Sequence, residues 1–373
     1  MEKVKKQYGL WTGIAMVIGI VIGSGVFIKG GKVLNLAGGD LKLSLLAWLI
    51  GGLIMVASGF CFAVFATKIK KYNGVIDYVE VTTNRKVGYG LAWLMTTFYY
   101  PIIASIVACF ASQYIFELFG KSYSIPFWPI EVYLVAFAIL TITAILNYFS
   151  PMIAAKFQVS ATVIKLIPIG IIAIVGIFSS VIVGDGYGIL NAFKDSATQA
   201  PNGEALVANF GDAVKKTAFA YEGWVCATAI NAELKDSKKN LPRALVGGTV
   251  AILIFYLVYY ISLSAFLGNQ GTINEDSNAP IAVFNIIFGS VGGTVFTLFI
   301  MISCLGTVNG LAIACCRGMY TMSTRGLGIA PQKISKLGDT IYENFVRRFC
   351  IWRRICILCC NRWLSFLAVN KLC

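Results

Sequence analysis

Catalytic or metal chemistry would have to proceed here without histidine, because none occurs among the 373 residues. Its absence removes the commonest neutral-pH base, the commonest metal ligand and the usual proton-relay side chain. Cys356 and Cys359 form a single C-x-x-C spacing, which is weak ground for a zinc or redox site. Most other cysteines (Cys61, Cys109, Cys226, Cys304, Cys315, Cys316) lie inside apolar segments, where cysteine packs as a small hydrophobe. No cofactor, no metal site, no catalytic residue and no enzyme activity are expected. Two charges inside apolar runs remain, Lys165 within V-I-K-L-I-P and Glu222 within F-A-Y-E-G-W.

A charge within a membrane span costs a few kcal/mol unless it is paired or solvated, so each is a site hypothesis by default. Lys165 has a plain alternative, an ammonium snorkelling to the membrane surface along its own stem. Glu222 has three readings: a proton-linked gate, a counter-charge for a cationic ligand, or an acid merely solvated by a cavity. Burial raises its pKa and a neighbouring ammonium lowers it. The aromatic clusters Phe98-Tyr99-Tyr100 and Tyr256 with Tyr259-Tyr260 read as packing and interface residues rather than pocket walls.

The backbone supplies further chemistry. Ile22-Gly23-Ser24-Gly25-Val26-Phe27 and Phe219-Ala220-Tyr221-Glu222-Gly223-Trp224 interrupt two otherwise apolar helical runs about 200 residues apart. Unwinding a helix frees N–H groups at the start of one half and carbonyls at the end of the other. Bare polar backbone persists in hydrocarbon only where it lines a cavity or meets a ligand. Free N–H groups of Gly23, Ser24 and Gly25 suit a carboxylate, and carbonyls near Val21, Phe219 and Tyr221 suit an ammonium, so a zwitterion fits both ends.

The elements that hold these groups are membrane spans. The sequence is 58% hydrophobic and 13% charged, against about 45–50% apolar and 25% charged for soluble domains. Apolar runs able to cross a bilayer fall at approximately 9–29, 42–67, 88–118, 127–148, 157–183, 207–232, 243–268 and 282–322. A cleavable signal peptide is not expected in the first. The net charge of +14 sits in short clusters between spans, a topology signal rather than a nucleic-acid footprint, so no nucleic acid is expected as partner. Lys68, Lys70, Lys71, Arg85, Lys86, Lys156, Lys235, Lys238, Lys239 and Arg243 fall on the side of the N-terminus, which the positive-inside rule places in the cytoplasm of a multi-pass cell-membrane protein. Lys29, Lys32, Lys42, Lys215 and Lys216 go against this trend. Paired discontinuities in corresponding spans of two five-span sets point to a transporter's central site.

At these residues the chain resembles a known family. G-S-G-V-F, F-A-Y-E-G-W, the following N-A-E-L-K-D-S-K-K-N-L-P-R-A-L, and F-G-S-V-G-G together are similar to the L-type amino acid transporters of the amino acid-polyamine-organocation superfamily, most closely the bacterial serine/threonine exchangers. The resemblance covers about residues 8–340. It implies an all-α integral membrane protein with the leucine-transporter-type inverted five-helix repeat, here truncated after about eight transmembrane helices. It also implies alternating-access transport of L-amino acids, small neutral ones, with a cationic amino acid or polyamine permease as the alternative. By the resemblance Ser24 and Gly25 contact the carboxylate, Phe219 and Glu222 lie beside the amino group, and Trp224 helps occlude the site. The resemblance also implies that Lys165 stands in for a sodium ion bridging helices 1 and 5. Animal relatives join a glycoprotein heavy chain by a disulfide near the loop Gly120-Lys121-Ser122-Tyr123-Ser124, which has no cysteine here. No such partner is expected, only substrate and lipid bilayer.

The family pattern has twelve helices. Residues 1–340 read as the permease domain, with a first repeat at about 9–183 and an incomplete second at about 207–340. After Glu343 no acid occurs, while Arg347, Arg348, Arg353, Arg354 and Arg362 accumulate with five cysteines. We read 341–373 as an aberrant basic, Cys-rich tail with the look of a wrong reading frame; a basic amphipathic tail on the inner leaflet is the alternative. A chain lacking the later helices is expected to insert but to be unstable and inactive, a non-transporting fragment.

Overall fold

A computed structural model describes residues 8–69, 74–121, 123, 128–149, 151–184, 186–199 and 207–327. The stretch 341–373, with Cys356 and Cys359, lies outside the described residues. Those described form helices and loops, with no β-strand among them.

The first span is interrupted as its glycines dictate: α1 (Leu10–Val21) ends before Ile22–Ser24, and the chain resumes as α2 (Gly25–Ile28) and α3 (Gly30–Leu36). Span 2 is α4 (Leu41–Lys68), capped by the Asp40 carboxylate, which accepts from the Lys42 amide at 2.8 Å. After α5 (Gly74–Thr82), span 3 comprises α6 (Arg85–Leu94), a π-turn at Met95–Tyr99, and α7 (Tyr100–Leu118). Spans 4 and 5 are α8 (Ile130–Phe149) and α9 (Pro151–Ile177), followed by short helices α10 (Ser179–Ile182) and α11 (Ile189–Lys194).

Span 6 begins as α12 (Phe210–Ala218) and tightens into 3-10 turns at Phe219–Tyr221 and Trp224–Glu233. Span 7 lies within α13 (Ser237–Glu275), bent at Gly268. The expected single run at 282–322 is divided. The chain forms α14 (Ala279–Phe288), turns at Gly289 with φ 67°, and starts α15 (Gly292–Thr324). The glycines of F-G-S-V-G-G account for it. Gly289 takes a left-handed backbone, and Gly292 packs so close to the Phe284 carbonyl that a Cβ would collide with it.

Six helical stretches among the described residues are long and apolar enough to cross a membrane, and the last, Ser237–Ser323, contains spans 7 and 8 in succession. Span 6 is not among them, because its interruption leaves a helix of nine residues and shorter-pitched turns. Side chains such as Ile54, Ile174 and Val163 remain exposed on the outside of the bundle, where hydrocarbon receives them. Inside, Trp48 of α4 meets Tyr221, Tyr256 and Tyr260 with ring centroids 5.6, 5.6 and 4.7 Å away.

Candidate functional site

The two interruptions face one another. In span 1, Ile22 leaves the helical region with ψ 89°, and the Gly23 amide turns back to the Val21 carbonyl at 2.9 Å. In span 6, Glu222 is extended and Gly223 is left-handed at φ 105°, a conformation that penalises any side chain. A narrow cavity of about 40 Å3 lies between them, lined by Val21, Gly23, Ser24, Gly25, Phe219, Glu222 and Gly223. Ile103 and Val107 of α7, with Thr307 and Leu311 of α15, complete the wall.

Most carbonyls freed at the first break already have donors. Lys165, fully buried, is not snorkelling: its ammonium donates to the carbonyls of Gly19 at 2.7 Å, Ile22 at 2.6 Å and Ser303 at 3.1 Å. The charge on α9 thereby clasps the end of α1 to α15. Ser303 Oγ donates to Ile22 and Gly23 at 3.0 and 3.2 Å, and Thr307 Oγ1 to Gly19 and Ile20, both at 3.3 Å. The Tyr256 hydroxyl reaches both breaks, 2.9 Å from the Ala220 carbonyl and 3.4 Å from that of Val21. The Val21 carbonyl expected to be open for an ammonium is therefore shared with a tyrosine.

Glu222 is exposed at the cavity. The Tyr99 hydroxyl stands beside it, and no lysine or arginine pairs with it among the described residues. Ser24 is buried, with the Cys304 thiol against its amide and hydroxyl. The structure does not bring Tyr221 and Trp224 to the cavity wall. The Tyr221 hydroxyl donates to the Trp48 carbonyl at 2.9 Å, and the Trp224 ring meets Phe62 edge-on at 5.1 Å.

Three arrangements were not read from the sequence, although Lys165 itself was. The first is the polar ladder Gln158, Thr162 and Lys165, spaced three and four apart on α9 and so on one face. Thr162 Oγ1 donates to the Ala15 carbonyl at 3.0 Å, and Asn309 Nδ2 donates to Gln158 Oε1 at 3.0 Å. The second is Lys29, whose ammonium lies 5.8 Å from the centroid of the cavity ring Phe219; neighbouring Lys32 pairs with Asp276 at 3.5 Å. The third closes the end of the bundle that carries residue 8. Tyr8 bonds across to Glu233 and Lys235 at 3.0 and 2.8 Å, and burial, with Glu233 beside it, pushes its phenol up to about 12. Arg317 Nη2 donates to Glu233 at 2.8 Å. Arg325 pairs with both Asp77 and Glu80, and Arg85 donates to the Arg325 carbonyl at 2.9 Å.

Membrane-length helices, two of them broken around a shared polar cavity and the whole shut at one end, define the architecture of a secondary transporter. Two solved transporters share the fold. MhsT in complex with L-phenylalanine matches with a TM-score of 0.63 at 15% identity, covering 97% of this chain and 81% of that one. Mhp1, a nucleobase-cation-symport-1 family transporter in a closed conformation, matches with a TM-score of 0.56 at 13% identity, covering 98% and 76%. The leucine-transporter-type expectation holds at the level of fold. In sequence, the serine/threonine exchanger SteT of Bacillus subtilis (strain 168) is 30% identical over 321 residues, 86% of this chain and 69% of its own. The human large neutral amino acids transporter small subunit 2 is 28% identical over 310 residues, 79% of this chain and 56% of its own. Residues 8–337 match the amino acid permease family. The chain belongs to that family, one of multi-pass membrane transporters and not of enzymes.

Proposed function

We propose that this protein carries small neutral L-amino acids across the cell membrane by alternating access, as an exchanger, with its N-terminus in the cytoplasm. The meeting of both helix breaks in one cavity supports this most directly. In this reading the substrate carboxylate sits on the N–H groups of Ser24 and Gly25. Its ammonium lies beside the Glu222 carboxylate and the Phe219 carbonyl, since the Val21 and Ala220 carbonyls accept from Tyr256. Lys165 takes the place a coupling cation would need, and the ion pairs around Arg317 and Arg325 hold the cytoplasmic gate shut. In the same reading residues 1–340 are the permease domain, with a first repeat at about 9–183 and an incomplete second at about 207–340. No cysteine lies in the loop after α7, in keeping with transport without a disulfide-linked heavy chain.

The chain spans between 56 and 69% of the length of the relatives named above, so the activity is proposed for the protein that carries this site. Radiolabelled serine uptake into proteoliposomes tests it, with unlabelled serine, leucine, lysine and putrescine as competitors. Serine is expected to compete best. Competition by lysine or putrescine instead supports a cationic amino acid or polyamine permease, the reading favoured by Glu222 having no basic partner among the described residues. Gly25→Val is expected to abolish uptake at unchanged expression: a Cβ there already lies 3.2 Å from Ala220 Cα and 3.5 Å from Phe219 Cδ1. Unaltered uptake in that variant overturns the site.

A further inference from the structure

Helices α4 and α13 run antiparallel, so the end of one adjoins the start of the other. Between them a groove of about 490 Å3 opens on the outside of the bundle, within the size range of small-molecule sites. Phe60 and Val64 from α4, and Val246 from α13, form apolar walls, and Arg243 closes one end. Depth comes from small residues, Ala63 and Gly247; a Cβ at Gly247 meets nothing within 4 Å. Phe60 is 59% and Val64 42% exposed. The lining from Phe60 to Thr67 runs about 10 Å along the helix, matching the upper part of an acyl chain.

The charges gather at and just beyond one end of the groove, where α4 ends and α13 begins. Arg243 is exposed and lines the groove; Lys239 lies one turn before it on α13, and Lys68 one turn beyond Val64 on α4. Residues four apart share a helix face, so both lysines stand above the same slot. No carboxylate pairs with any of the three among the described residues; Asp236, the acid at the start of α13, forms no ion pair with them. We infer that this groove is a binding site for an anionic glycerophospholipid, its phosphate held by Lys68, Lys239 and Arg243 and one acyl chain lying along Phe60, Val64, Val246 and Gly247. A neutral or zwitterionic lipid fills the slot equally well but gains less from the three cations.

The full chain in mild detergent is offered phosphatidylglycerol and phosphatidylcholine of identical acyl composition, and retained lipids are counted by native mass spectrometry. The wild type is expected to retain phosphatidylglycerol preferentially. Lys68→Gln, Lys239→Gln and Arg243→Gln each lower the ratio of anionic to zwitterionic lipid about fivefold, the effect of one surface cation. Gly247→Leu lowers retention of both lipids, and because it points into open space it leaves the bundle monodisperse. Lys86→Gln, at the same end of the molecule but away from the groove, changes nothing. An unchanged ratio in the triple variant, an equal loss in Lys86→Gln, or full retention in Gly247→Leu overturns the assignment.

Discussion

Lys165 offers the sharpest test of how the first break is held. Its ammonium is wholly buried and donates to three carbonyls, two of them at 2.6 and 2.7 Å. Hydrogen bonds from a charged donor contribute about 1.5–3 kcal/mol each. Two of the three acceptors keep a second donor, since Ser303 still reaches Ile22 at 3.0 Å and Thr307 still reaches Gly19 at 3.3 Å. Lys165→Met, which keeps the apolar volume and removes the donors, is therefore expected to destabilise the fold by about 2–4 kcal/mol. Lys165→Ala opens a space among the carbonyls of Gly19, Ile22 and Ser303 and the hydroxyls of Ser303 and Thr307, an all-oxygen environment that suits a hard cation. If that space takes sodium, the Ala variant regains about 1.4 kcal/mol when sodium is ten times its dissociation constant. Thermal unfolding in detergent, followed by a thiol-reactive dye in sodium and in choline, measures both effects. A Met variant as stable as wild type refutes the clasp, because the ammonium's bonds then do no more than offset its burial. An Ala variant indifferent to sodium refutes the cation analogy.

Gly223→Ala is expected to lose about 1–2 kcal/mol in the same assay, since alanine is strained at φ 105° and its Cβ would lie 2.8 Å from Ile20 Cγ2. Arg325→Ala removes the guanidinium that pairs with the buried Asp77 carboxylate and with Glu80. It is expected to destabilise by about 3–5 kcal/mol and to speed labelling of a cysteine introduced at Tyr8. Tyr256→Phe keeps the ring against Trp48 but removes one hydroxyl, with an expected loss of about 1 kcal/mol; a neutral result means that water replaces the hydroxyl at both carbonyls.

The breaks were legible in the sequence because glycine clusters inside apolar runs have few other uses, and Lys165 was legible because a lone charge in a span demands a partner. Its partners were not. They are main-chain carbonyls, which carry no residue signature, supported by Ser303 and Thr307, which look like ordinary small residues of span 8. Tyr256 read as packing, and its ring does pack on Trp48 and Tyr221. Its hydroxyl bonds to residues 36 and 235 positions away, and no local pattern encodes such a distance. Trp224 was expected over the site, but where its ring points depends on the left-handed turn at Gly223, and composition does not reveal that angle. The split of 282–322 failed for a similar reason: hydropathy runs smoothly through Gly289, while the backbone does not.

The position of the Tyr256 hydroxyl ties the two helix breaks to one side chain. One proton donor serves the last carbonyl of α1 and the Ala220 carbonyl in the span 6 break, so span 1 cannot tilt away from span 6 without giving up part of a bond that both use. The hydroxyl thus favours, by about 1 kcal/mol, arrangements in which the two breaks stay side by side. In the exchange proposed above, such a bias would act against leak, because it favours the two breaks moving together.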